Sequence, residues 1–566
     1  MLAPFLLSPR IAPNYRHTES HMSASQDRAE IQHIAQALQL AEHADDLPQQ
    51  IELYERLLDI TPQVALIHAK IAHLHLRLKQ VDSAQPYIHQ ALSMPGDDQV
   101  DAELFEHMAE CPELAADLEQ ARAWYRQRPN LWRFKLYSSA LTNAQLHAEA
   151  ERLYLDVLQT PLAVSQQVWI LCALSKLYYD TGRYHDCIAC CQLGLEGSPD
   201  DPRLHFNMAT SLEQVARYEE AFQHYAIVLR SDPQHIGTHN NLGLLMLRLK
   251  QFEVGWSHYE WRWLASQQNQ QQYFNTPQWQ GESLKGKSLL IWAEQGIGDH
   301  IMFASMLPDL LELEGKVHFE TYARLDPILE RSFPEVAFIR REQTGNVLDG
   351  VQMLYRQSWP QSDYQIPMGS LGRLLRPDLG SFAGPGKFLR ADEEASRCKR
   401  EEYTRLFPGK KLIGLAWKGG SNISNDIQSR RIAMNELARL ASQNHVQFIN
   451  LQYGDTSAER AEAKALGLYI HHDENVNPLV NMDAQASQLA ALDAVLSIDN
   501  TAVHLAGALG VPTYVLLQLN PNWRWGLEEG PSYWYPSVYL IRNREIGRWE
   551  MALDRAVAAM RDNGHL

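Results

Sequence analysis

Sliding the sequence against itself lays Pro199 over Pro233, Ala209 over Gly243, Tyr218 over Phe252, Ala221 over Gly255 and Tyr225 over Tyr259, each pair 34 residues apart. The frame runs back through Ser175 to Ala209 and Tyr184 to Tyr218, and Tyr54 and Ile88 keep the interval far upstream. A unit of that length fits a helical hairpin, which cannot bury its apolar face alone and has to stack on a neighbour. Ala209 and Ala221 are small enough for paired helices to approach closely, and Tyr225 fills the space against the next unit. The stretch "HAEAERLYLDVLQTP" at 147–161 fits only with inserted residues. The expectation is therefore about six hairpins between 28 and 265, regular only at the C-terminal end. Such a stack leaves a concave groove that suits a peptide or protein partner, with a plain spacer or dimer contact as the alternative.

Size and charge narrow the classes further. A chain of 566 residues exceeds one core and predicts roughly three or four domains. A formal charge of −17 argues against nucleic acid, because binding a phosphate backbone needs clustered Lys and Arg. No apolar run approaches the roughly 20 residues of a membrane helix, so the chain is not expected to span a membrane. The opening "MLAPFLLSPRIAPNYRHTESH" is interrupted by Pro4, Pro9 and Arg10 and makes a poor secretory signal; residues 1–27 read as a flexible tail. Six cysteines make no disulfide framework, which fits a reducing, cytoplasmic location. Cys187, Cys190 and Cys191 fall inside a helical repeat, where buried packing is the expectation.

Past a Gln-rich linker at 266–287 the pattern changes. "SLLIWA", "VHFETYA", "KLIGLAWKGG", "VQFINLQYG", "GLYIHH", "AVLSID" and "TYVLLQL" are short apolar strand runs alternating with helical stretches, the signature of parallel sheets. Two such halves are expected, at 288–390 and 391–547, joined by the Gly- and Pro-rich "YQIPMGSLGRLLRPDLGSFAGPGKF", which reads as a hinge. A cleft with ligand contacts at the carboxyl ends of the strands follows from that topology. The segment 548–566 is an amphipathic helix.

Two loops carry the polar groups expected at such a cleft. In "EQGIGD", Gly296 and Gly298 make a turn that admits close approach, and Asp299 follows at once; the third glycine of a dinucleotide fingerprint is missing. Asp299 is either a catalytic base or a cap for a helix starting at His300. In "LSIDNTAVHLAGALGVP", Asp499 ends a strand, Asn500 or Thr501 caps the next helix, and His504 lies one turn in, so the exposed N–H groups form a ready phosphate site. Lys418, Arg430 or its neighbour Arg431, and Gln452 occupy loop positions on the same side. Trp523, Arg524 and Trp525 do so too; the indoles either stack on a base or sugar or seal the core.

The first half resembles the tetratricopeptide repeat. "GIGDHIMFASMLPDL" together with "SIDNTAVHLAGALGVP" resembles the heptosyltransferase-type glycosyltransferases, and the chain from 28 to 562 is similar to bacterial proteins that fuse such repeats to such a transferase. The resemblance implies an all-α tetratricopeptide-repeat solenoid followed by an α/β GT-B fold of two Rossmann-like, doubly wound parallel-sheet halves, with the C-terminal helix crossing back to brace the first half. It implies transfer of a sugar from a nucleotide-sugar to a hydroxyl acceptor, with inversion and with neither metal nor cofactor required. Asp299 matches the family's general base, Arg430 its basic position, and Asp499, Asn500, Thr501 and His504 its diphosphate motif. Asn500 stands where Thr is common, and "LQLNPNWRWG" replaces the family's usual Gly- and Pro-rich loop. The repeats would recruit a protein or peptide acceptor, flagellin or another surface protein among them. The competing readings are an inactive scaffold that senses a nucleotide-sugar and a nucleotide-sugar-processing enzyme such as an epimerase.

Overall fold

The computed structural model describes residues 23–94, 100, 101, 104, 117–265, 276–294, 296–341, 359–382, 386–419 and 430–566. Most of the expected tail, linker residues 266–275, Gln295, part of the hinge at 383–385 and the second glycine of "AWKGG" lie outside them. Among the described residues, no helix is long and apolar enough to cross a membrane. The chain divides into two compact units, the first up to Leu177 plus Glu196–Ser198, the second comprising Tyr178–Leu195 and Pro199–Leu566.

The first unit is helical. Its helix Ser23–His43 begins inside the segment expected as a tail. Antiparallel helices such as Leu47–Ile60, Ala65–Arg77 and Val81–Ser93 follow. Asp46, Asp117 and Asn130 cap helices by accepting a backbone N–H three residues on. Among the described residues, three hairpins of this unit turn through one residue in the left-handed region, at Asp45 (φ 52°), Lys79 (φ 59°) and Gln145 (φ 57°). Buried Asp101 gathers Arg133, Arg128 and Asn130, an ion cluster that pins neighbouring helices together.

The second unit opens with the regular repeats: Tyr184–Gly197, Pro202–Gln214, Tyr218–Ser231, Ile236–Arg248 and Phe252–Tyr259. Their left-handed turn residues, Gly182, Ala216 and Lys250, recur at the sequence period. The small residues do what the period requires of them. A Cβ on Gly243 would lie 2.7 Å from the Tyr259 amide nitrogen, and one on Gly255 2.8 Å from that of Leu247. Tyr225 is fully buried, donates to Glu213 (2.6 Å) and accepts from Asn241 of the next hairpin (3.3 Å).

Two sheets follow in the same unit. The first has the order β3-β2-β1-β4, from strands Ser288–Trp292 (β1), Lys316–Thr321 (β2), Ala337–Arg340 (β3) and Tyr364–Pro367 (β4), all parallel. The second runs β10-β11-β9-β8-β5-β6-β7. Its strands are Lys411–Ala416 (β5), Val446–Asn450 (β6), Ile470–His471 (β7), Ala494–Ile498 (β8), Thr513–Leu517 (β9), Gly530–Pro531 (β10) and Val538–Arg542 (β11). Only the β10–β11 pair is antiparallel. Central strands such as β8 and β9 are buried at every residue, as expected for a sheet covered on both faces. The fold is a repeat solenoid followed by two parallel-sheet halves, the GT-B class.

Two expectations need correction. The C-terminal helix Glu550–Asp562 does not brace the first half: its apolar stripe of Ala552, Leu553, Ala556 and Met560 joins Ile413, Leu440 and Tyr514 in the core of the second. The two halves joined by the Gly- and Pro-rich segment also meet directly. Ile301 and Met302 of helix Ile297–Ala304 share one core with Val503 and Ala506 of helix Thr501–Ala508, and Arg331 grips Asp483 with two bonds of 2.8 Å. The last repeats, moreover, are not a separate body ending at 265. Trp256 is 1% exposed, donates to the Arg376 carbonyl (2.8 Å) and meets Trp523 edge-on at 5.4 Å. Burying two indoles there stabilises by several kcal/mol, on the order of 2–3 each, and the repeats from Pro199 onward belong to the same compact unit as the two sheets.

Candidate active site

Each sheet reverses strand order beside its first strand, and the polar loops leave the carboxyl ends of β1 and β8 at those points. The exit from β1 is fixed by buried charge. Glu294 accepts from the Gly369 amide (2.6 Å) and from Arg262 Nε (2.6 Å) and Nη2 (2.9 Å), with both side chains of the ion pair 2–3% exposed. Gly296 then caps helix Ile297–Ala304 at an ordinary φ of −71°, which places Asp299 in its first turn. Asp299 is therefore not a cap for a helix beginning at His300; its carboxylate bonds Arg524 instead.

On the other wall Asn500 caps helix Thr501–Ala508, accepting from the Ala502 amide at 3.0 Å. His504 sits 3% exposed with Nδ1 2.9 Å from the Tyr535 hydroxyl and its ring stacked on Trp525 at 5.1 Å. The two helices are so close that a Cβ on Gly298 would lie 2.9 Å from His504 Cδ2. The room that Gly298 leaves is thus taken by the protein's own imidazole. Among the described residues, nothing lies within 4 Å of a Cβ on Gly296.

Where the two walls meet they border a cleft of about 460 Å³, within the range of small-ligand sites. Gly296, Gly298, Asp299, Arg430, Asp499, Asn500, Thr501 and His504 all line it. Four other expected residues do not, for identifiable reasons. Lys418 turns away to Glu459, 2.8 Å from its Nζ. Gln452 is buried behind the wall, its Oε1 accepting from the amides of Trp417 (3.1 Å) and Lys418 (2.9 Å) and so tying β5 to β6. Trp523 and Trp525 are 4% and 1% exposed and seal the core instead of offering a stacking face.

The charge balance follows from burial. The Asp299 carboxyl is pushed above its ordinary value by burial and by nearby Asp499, against the pull of Arg524 and Arg430. His504 is held well below its usual range by burial and by the same two guanidinium groups, so it is a neutral imidazole near pH 7. Arg430 donates to the Asp499 carbonyl at 2.6 Å and lies over Gly419, where a Cβ would meet its Nε at 2.8 Å. Arg324, lying 3.3 Å from the Pro478 carbonyl that its Nη1 donates to, supplies another cation. Arg324, Tyr453, Gln485 and Asn522 also line the cavity and had no local motif to mark them. Arg524 had a faint one, an arginine between two tryptophans. Arg430, Arg524 and a helix N-terminus on one wall face Asp299 and Arg324 on the other, an arrangement able to hold an anionic ligand while taking up a proton beside it.

No family model matches the sequence. Over 436 residues it is 30% identical to Protein FlbA of Caulobacter vibrioides (strain ATCC 19089 / CIP 103742 / CB 15), covering 74% of this chain and 71% of that protein. Among solved structures, a glycosyl transferase family 9 protein from Veillonella parvula DSM 2008 matches 50% of this chain and 91% of its own, at 11% identity and a TM-score of 0.32. The ADP-heptose lps heptosyltransferase II of E. coli matches 48% and 99%, at 14% identity and a TM-score of 0.30. The C-terminal part of a TPR repeat-containing protein from Cytophaga hutchinsonii matches 41% and 95%, at 12% identity and a TM-score of 0.29. Likeness at TM-scores this low carries no functional weight.

Proposed function

The chain belongs to the family of Protein FlbA of Caulobacter vibrioides, and for this member we propose a glycosyltransferase that moves a sugar from a nucleotide-sugar to a hydroxyl group. The observation that carries the reading is Asp299 on one wall of a cavity whose other wall is the Asn500-capped N-terminus of helix Thr501–Ala508 with Arg430 and His504. In this reading the donor's diphosphate lies at that N-terminus. Asp299 takes the proton of the acceptor hydroxyl, the oxygen forms its bond to the anomeric carbon from the opposite face, and the bond to the diphosphate breaks with its electron pair leaving on the nucleotide. Arg430 and the helix amides balance the charge that develops on the leaving group, so the site supplies this compensation without a metal. The repeats hold a protein or peptide acceptor.

The test is a thermal-shift screen of nucleoside diphosphates and their sugars, followed by turnover of whichever binds. A ligand at 100 times its dissociation constant stabilises by about 2.7 kcal/mol. Asp299→Asn should keep that binding and lose roughly 10² to 10⁴ in turnover. A variant that still transfers sugar at the native rate removes Asp299 from the mechanism, and a chain that binds and turns over no nucleotide-sugar removes the enzyme.

A further inference from the structure

Arg524 stands where two parts of the second unit meet. Residues 518–529 leave β9 and lie on the repeats. Arg248 Nε donates to the Pro521 carbonyl (2.8 Å), the Tyr218 hydroxyl to the Leu519 carbonyl (3.4 Å), and Lys250 reaches Glu528 at 2.6 Å. Trp523 is packed between Trp256 at 5.4 Å and Tyr259 at 5.7 Å. The short turn Trp523–Trp525 thereby sinks both indoles into the core and leaves the guanidinium between them pointing into the cavity, where it bonds Asp299 Oδ1. Among the described residues no hydrogen bond reaches Asp299 Oδ2, while Arg430 is committed to the Asp499 carbonyl.

We propose that Arg524 is a positioning residue for Asp299: it holds one carboxylate oxygen, leaves the other to take the acceptor's proton, and is itself held in register by the last two repeats. A buried carboxylate beside a second one, Asp499, keeps its charge only with a cation in contact, and Arg524 is that cation. The repeats are then part of the site's geometry as well as a platform for a partner. This inference rests on the glycosyltransferase reading for its catalytic consequence and on the ion pair alone for its physical one, so the two are separable by experiment.

The experiment uses the full chain with Arg524→Gln, Asp299→Asn and the double variant. The first readout is melting temperature between pH 5 and 8, which needs no activity. Without the guanidinium the Asp299 carboxyl rises further. A raised value means stability present at low pH and lost as pH rises through it, so Arg524→Gln should melt progressively lower with rising pH than the native chain, and the double variant should lose that extra slope. The second readout is the acidic limb of kcat/KM against pH, which should move up by about one pH unit or more in Arg524→Gln. Should Arg524→Gln fail to fold while the double variant folds, the unpaired carboxylate is the cause and the pairing stands. Should both fail, Arg524→Lys, which keeps the charge and loses the fork, should show an intermediate slope and an intermediate limb. Melting curves parallel to native for Arg524→Gln, or for Arg524→Lys where only it folds, overturn the proposal. Absence of turnover in the native chain counts against the glycosyltransferase reading and leaves the melting test in force.

Discussion

Replacing Gly298 by alanine adds one methyl group at a close contact between the two walls. The new Cβ would sit 2.9 Å from His504 Cδ2 and 3.4 Å from its Nε2, well inside the roughly 3.5–4.0 Å of an optimal carbon contact. The ring has little freedom to yield, being bonded to Tyr535 at 2.9 Å on one side and stacked on Trp525, which is 1% exposed, on another. Overpacking of this kind costs about 1–3 kcal/mol, offset by at most about 1 kcal/mol from the better helix propensity of alanine, a net loss of about 0–3 kcal/mol. Turnover should suffer more, because a displacement near 1 Å of reacting groups costs about 10²-fold. Gly296→Ala is the control. That residue has an ordinary φ and, among the described residues, an added Cβ would meet nothing within 4 Å, so the cost should be no more than alanine's weaker N-cap preference, about 1 kcal/mol. Urea unfolding and single-turnover transfer on the two variants side by side decide the matter. A Gly298→Ala chain as stable as Gly296→Ala and as fast as the native chain would show that the walls are not in contact.

Three further outcomes are expected. Trp256→Ala should cost about 3–5 kcal/mol in urea unfolding of the second unit, because it empties a site 1% exposed and strands the Arg376 carbonyl; an unchanged midpoint would mean the repeats are not docked there. Glu320, 1% exposed, has its carboxyl raised to about 7 by burial, so its contribution is full in acid and is lost as pH rises through 7; Glu320→Gln should gain up to about 3 kcal/mol over native at pH 8 and nothing at pH 4, and equal differences at both values would refute this. His205 and His224 face each other Nδ1 to Nδ1 at 2.7 Å, as do His239 and His258 at 2.8 Å one repeat later. Burial, then the partner ring, depresses His224 and His258, so stability should fall as pH drops below about 6.5; replacing both by glutamine should flatten the urea midpoint between pH 7.5 and 5.5.

The sequence determined the elements because their causes are local. A hairpin repeat must place a small residue wherever two helices touch, so Gly243, Gly255 and Ala221 announce the stack without any knowledge of it. Strands buried on both faces read as unbroken apolar runs, and the turns and first helical turns after β1 and β8 carry Asp299, Asn500 and His504 within about seven residues of a strand end. What the sequence could not fix was which distant surfaces meet. The same amphipathic stripe in Glu550–Asp562 fits either half, and only the shape of the core beside Ile413 and Tyr514 selected the second. The direction of Lys418 was decided by Glu459, forty-one residues on, and the burial of Trp523 by Trp256 in the last repeat. Arg524 became a partner of Asp299 through a contact spanning 225 residues. Local chemistry sets periodicity and caps, whereas pairings of this reach exist only once the cores have closed around them.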